Sequence, residues 1–120
     1  ERVVAAGAER LRAAVEACER RLPGGTRFTR PEGGMNLWVR LPAPLDAAEL
    51  LPEAEREGVL YAPGRLFEVS RREPGCLRLS FAGLDPGRIG AGIAILGRLF
   101  SKELERARAA GRGEPAPAMV

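Results

Sequence analysis

Hydrophobic side chains change between helical and strand spacing along this chain, and that change limits the folds open to it. Val4, Ala8, Leu11, Val15, Cys18 and Leu22 recur at helical spacing, one apolar stripe on a long helix. Met35, Leu37, Val39 and Leu41 then alternate with Asn36, Trp38 and Arg40, the period of a half-buried strand. A second alternation sets Leu77, Leu79 and Phe81 against Arg78 and Ser80. Ile89, Ile93, Leu96, Phe100 and Leu104 restore the helical stripe. Such a pattern predicts helices laid against one small sheet.

Turn-forming residues punctuate these segments. Pro23-Gly24-Gly25 ends the first helix, because proline cannot continue it and glycine accepts the cap geometry. A short extended piece over Thr26 to Arg30 leads into a turn at Pro31 to Gly34, and Pro42 and Pro44 close the strand after it. Asp46 followed by Glu49 is a helix-capping pattern. The helix it starts carries Leu50, Leu51 and Ala54 and stops at Gly58, with Pro52 implying a kink or a later start. Val59 to Tyr61 reads as a short strand ended by Pro63-Gly64, and Arg65 to Gly75 as a loop with a brief strand around Leu66 to Val69. Asp85-Pro86 is a strong start for the last helix. Gly87, Gly90, Gly92 and Gly97 inside it each cost on the order of 1 kcal/mol against alanine, which implies close packing against another backbone. The order is α-β-β-α-β-(β)-α, an α+β fold: a two-layer α/β sandwich with a small, mostly antiparallel sheet. One domain is expected over residues 1–108, followed by a disordered Gly-, Pro- and Ala-rich tail at 109–120.

Composition narrows the chemistry. Of 19 basic residues 18 are arginine, Lys102 is the one lysine, and there is no histidine. Histidine-based acid–base catalysis and His-ligated metal are therefore excluded within this chain. Cys18 and Cys76 are too few and too far apart for a metal cluster or disulfide scaffold, and read as small buried hydrophobes. Acidic residues are interleaved with the basic ones and aromatics make up 5% of the chain, so no nucleic-acid-binding patch stands out. No apolar run approaches the roughly 18 residues of a membrane span, and a cytoplasmic setting is expected. The chain opens without methionine, inside a helical pattern, as a piece of a larger protein would.

Arg78 is the most informative position. Its neighbours Leu77 and Leu79 commit one strand face to the core, so Arg78 faces the other way. A guanidinium fixed on a strand suits a carboxylate held by two parallel hydrogen bonds; a solvated or salt-bridged arginine fits the same pattern. Pro63-Gly64 either lets a ligand approach the backbone or is only a turn. Trp38 either stacks on a ligand or packs against a neighbouring domain.

Three segments carry a family resemblance. Residues 30–42, RPEGGMNLWVRLP, resemble the "PEGGMFLW…LP" segment in the C-terminal small domain of class I/II, fold-type I pyridoxal-phosphate aminotransferases. Residues 58–64, GVLYAPG, with Phe67 after them, are similar to that family's "GV…PG..F" strand and loop. Residues 77–82, LRLSFA, match its "LRLSFA" strand, and Ile89 to Leu96 its closing helix. The resemblance covers roughly residues 1–106. It implies that Arg78 binds the α-carboxylate of an amino-acid substrate or effector, with Pro63, Gly64 and Asn36 bordering the pocket.

The same resemblance places the cofactor lysine, the aspartate at the pyridine nitrogen and the phosphate-binding residues in a large domain that this chain lacks. Pyridoxal phosphate is thus expected in the intact protein and not on this fragment, which carries no catalytic, cofactor-binding or metal-binding residue of its own. The large domain of the same chain is the implied partner, and a homodimer the implied assembly. Two parents fit. One is a MocR-type regulator of the GntR superfamily, which the segments GGMNLWVRLP, GVLYAPGRLF and SFAGLDPGRIGAGIAILGRL resemble more closely, with DNA bound only through a separate N-terminal domain. The other is a genuine aminotransferase of the 2-aminoadipate or aromatic amino-acid type.

Overall fold

The first apolar stripe folds as α1 (Arg2–Arg21) and the last as α3 (Pro86–Gly111). The protein is described by a computed structural model over residues 2–29, 36–64, 74–80 and 84–111. Between the two helices lie β1 (Arg27–Thr29), β2 (Asn36–Arg40), α2 (Ala47–Arg56), β3 (Ala62–Pro63) and β4 (Cys76–Ser80). The turn expected at 31–34, the brief strand at 66–69, Met35 and Phe81 lie outside the described residues.

The strands form one four-stranded sheet in the order β1-β2-β4-β3, with every pairing antiparallel. Leu37 faces Leu79 and Val39 faces Leu77 across the central pair, and all four are at most 8% exposed. Ile89, Ile93, Leu96, Phe100 and Leu104 of α3, with Ala14, Ala17 and Cys18 of α1, complete the core on that side. Of the predicted α1 stripe, Val15 and Cys18 are buried and Leu11 and Leu22 pack against the core, while Val4 and Ala8 lie outside the described side chains. The fold is therefore the expected α+β architecture, one sheet with helices on a single face.

Among the described elements, helices α1 and α3 share the most extensive contact, and one glycine makes this possible. A methyl group at Gly97 would come within 2.8 Å of the Arg21 carbonyl carbon, a backbone atom with little room to yield. Gly90 and Gly92 have open space around them. The expectation that every helix glycine serves close packing thus holds for Gly97 and not for those two. The Arg10 Nε also donates to the Leu84 carbonyl at 2.9 Å, tying α1 to the residue that leads into α3.

Both predicted caps form. The Asp46 carboxylate accepts from the Ala48 and Glu49 backbone N–H groups at 2.9 and 3.2 Å, so α2 starts where the capping pattern placed it and keeps Pro52 inside. Asp85 accepts from the Arg88 N–H at 2.9 Å. Gly58 and Val59 donate back to Glu55 and Ala54, the paired bonds that satisfy carbonyls at a helix end.

Two boundaries differ from expectation. Val59 to Tyr61 is not a strand; pairing begins at Ala62. Val59 is used to cap α2, and Tyr61 is buried with its hydroxyl donating to the Ala47 carbonyl at 2.6 Å. Those contacts hold the run away from the ladder. At the other end α3 continues through Gly111, across the start of the expected tail, because Ala109 and Ala110 are strong helix formers. Residues 112–120 lie outside the described residues.

Cys18 and Cys76 are both free and buried. Burial, with the Glu19 carboxylate adding to it, pushes the Cys18 thiol up from 9.0 to about 12. The folded state therefore holds a proton that the unfolded chain releases near pH 9, so folding stability is complete below that pH and falls as pH rises toward 12. Burial, with Asp46, raises the Tyr61 hydroxyl in the same direction. Urea titrations from pH 8 to 11 should show this alkaline loss, and Cys18→Ala should remove the part that begins near pH 9 and leave the part due to Tyr61. Because the thiolate is the reactive form, a thiol reagent at pH 8 should modify Cys18 only after denaturation. Rapid modification of the native protein at Cys18 would contradict the burial.

Candidate functional site

Arg78 sits near the middle of β4, flanked by β2 on one side and β3 on the other. Alternation does the positioning: Leu77 is fully buried and Leu79 is 8% exposed, so the side chain between them projects from the opposite face. The register places Trp38 directly across from Arg78 on β2 and Ala62 across on β3. Thr29 of β1 stands opposite Trp38. A row of four residues, Thr29, Trp38, Arg78 and Ala62, thus crosses the whole sheet on the face without helices. Trp38 is 37% exposed and Arg78 is half-buried, with its Nε shielded from solvent. Partial burial limits the freedom of the side chain, so less is lost when a planar, bidentate anion is gripped.

Asn36, Pro63 and Gly64 take different positions relative to this row. Asn36 opens β2 opposite Ser80, one pleat along from Trp38 and Arg78. Pro63 pairs with Leu77 and is buried, which puts it level with the core-facing position. A methyl group at Gly64 would come within 2.6 Å of the Cys76 Cβ and 2.9 Å of the Cys76 carbonyl oxygen. Among the described contacts Gly64 therefore serves strand packing, and the residue beside Arg78 is Ala62. Ala62 went unremarked in the sequence because Val59 to Tyr61, just before it, drew the strand assignment. The loop after Gly64 lies outside the described residues.

Lys102 is exposed on α3, the helical layer across the sheet from Arg78. The described strands contain no Asp or Glu. The described strands thus present neither an amine for an aldehyde nor a carboxylate for a pyridine nitrogen on the Arg78 face, a lining that does not fit pyridoxal phosphate.

The pattern that defines the family Aminotransferase class I and II matches residues 3–96, which takes in α1, the whole sheet, Arg78 and the first part of α3. The chain belongs to this family. Its resemblance at three ordered motifs is therefore one of descent. The 2-aminoadipate transaminase of Thermus thermophilus is 40% identical to this aminotransferase-family chain over 98 residues, 82% of the chain and 25% of that protein. The Escherichia coli protein called uncharacterized HTH-type transcriptional regulator YdcR is 32% identical over 97 residues, 81% of the chain and 21% of that protein. In three dimensions the chain matches the crystal structure of the alpha-aminoadipate aminotransferase LysN from Thermus thermophilus, complexed with N-(5'-phosphopyridoxyl)-L-leucine. The TM-score is 0.79 at 38% identity, covering 88% of this chain and 27% of that one. The aminotransferase-family chain spans about a quarter of the length of these relatives, and enzymes and regulators both stand among them.

Proposed function

We propose that this chain is the small domain of an aminotransferase-like protein and that Arg78 binds the carboxylate of an amino-acid ligand. The observation that carries this reading is a half-buried guanidinium on a central strand, facing away from the core beside Trp38. In the intact protein, pyridoxal phosphate would belong to a large domain, corresponding to the three quarters of such relatives that this chain does not match. Arg78 then anchors the ligand from the small-domain side as the two domains close.

The parent we favour is a MocR-type transcriptional regulator, in which this chain forms part of the effector domain. The segments GGMNLWVRLP, GVLYAPGRLF and SFAGLDPGRIGAGIAILGRL support it, as do relatives named as transcriptional regulators. Closure around the ligand is then the signal, because a ligand that binds the closed arrangement better shifts the population toward it. DNA would be bound by a separate N-terminal domain, and a homodimer is the assembly such a regulator uses. A second reading, a genuine aminotransferase, is favoured by the 40% identity to a transaminase. The gene upstream of Glu1 separates them: a winged helix-turn-helix there supports the regulator, and its absence the enzyme.

The carboxylate reading is tested with the full-length protein by calorimetric titration of an amino acid against the amine that lacks only its carboxylate. A charge-assisted hydrogen bond contributes roughly 1.5–3 kcal/mol, so the amino acid should bind about ten to a hundred times more tightly. Equal affinities would refute a carboxylate contact.

A further inference from the structure

The row that crosses the helix-free face is lopsided about Arg78. Directly paired residues on neighbouring strands share a face, with Cβ atoms roughly 4.5–5.5 Å apart. On the β2 side of Arg78 stands the indole of Trp38, and on the β3 side a single methyl group, that of Ala62. Among the described strands β3 ends the sheet on that side. The Arg78 Nε is shielded from solvent, so the stem is covered and the guanidinium stays close to the sheet, within reach of the residues that flank it. One flank is high and the other is low.

Sheet stability does not explain the low flank. Alanine is depleted in strands, and a β-branched residue in its place would add cross-strand packing. Nor can β3 move aside. Tyr61, just before Ala62, is buried; its hydroxyl donates to the Ala47 carbonyl at 2.6 Å and its ring meets Phe100. Pro63, just after, is buried and pairs with Leu77. Gly64 lies so near Cys76 that a methyl group there would come within 2.9 Å of the Cys76 carbonyl oxygen. The backbone on both sides of Ala62 is thus held against a close-packed core. A larger side chain at position 62 would have to take up the space beside Arg78. Ala62 itself is half-buried, so part of its surface meets whatever approaches the guanidinium.

We infer that Ala62 is a specificity-determining residue: its small side chain leaves the room through which a ligand carboxylate reaches Arg78. This rests on the proposed role of Arg78. A bulkier side chain at 62 would leave the guanidinium in place and close the approach to it.

Full-length wild-type, Ala62→Val and Ala62→Leu proteins are titrated calorimetrically with leucine, phenylalanine and glutamine, each against the amine that lacks only its carboxylate. Wild type should prefer at least one amino acid over its amine by about tenfold or more, as expected for one charge-assisted contact. Ala62→Val should cut that preference and Ala62→Leu should remove it. Valine, a strong strand former, keeps the test open if leucine disturbs β3. A preference retained in both variants, or an equal loss of affinity for amino acid and amine, would overturn the inference and leave the role of Arg78 standing. A wild-type protein that prefers none of the three amino acids over its amine would overturn the Arg78 reading itself.

Discussion

Truncating Phe100 to alanine should cost about 3–5 kcal/mol of folding stability, the range for removing a large aromatic from a closed core. Phe100 is fully buried, as are Leu37 and Leu77 on the sheet it covers. Its ring meets Tyr61 edge-on, with centroids 6.0 Å apart and planes at 65°, an arrangement worth about 0.5–1.5 kcal/mol beyond area alone. Tyr61 in turn donates to the Ala47 carbonyl at the start of α2. The cavity would therefore open between α3, the approach to β3 and the first turn of α2, three elements that cannot all collapse inward. Domains are stable by about 5–15 kcal/mol, so the urea midpoint should fall steeply. A loss below about 1 kcal/mol would mean that Phe100 is not the centre of the core.

Arg78→Ala should behave in the opposite way: large for ligand, small for folding. The side chain projects from the face opposite the core, so its removal opens no apolar cavity. Amino-acid affinity of the full-length protein should fall by roughly 1.5–3 kcal/mol. Arg78→Lys keeps the charge and loses the planar fork, so it should recover only part of the binding. The contrast with Phe100→Ala separates a residue that holds the fold from one that the fold holds in place.

Much of this was legible in the residues themselves. The alternations around Leu37 and Leu77 located β2 and β4, because a strand with one buried face repeats with period two. Asp46 and Asp85 located two helix starts, because a capping carboxylate satisfies N–H groups that are close in sequence. Arg78 was singled out by its position between two core leucines. What escaped reading depends on distant neighbours. Tyr61 looks like a strand residue until its hydroxyl is seen to reach Ala47, fourteen positions away. Gly97 looks like its helix companions Gly90 and Gly92 until Arg21 is placed against it. Ala62 is one alanine among many in the sequence. Only the β3–β4 register sets it beside Arg78.

The central claim is that Arg78 grips a carboxylate, and the most direct measurement pairs the side chain with the group it grips. Wild-type and Arg78→Ala full-length proteins are each titrated with an amino acid and with its decarboxylated amine, and the four affinities are closed into a cycle. The account predicts a fall of at least about tenfold for the amino acid and none for the amine, a coupling of about 1.4 kcal/mol or more. Equal changes for both ligands, or no change for either, would contradict it.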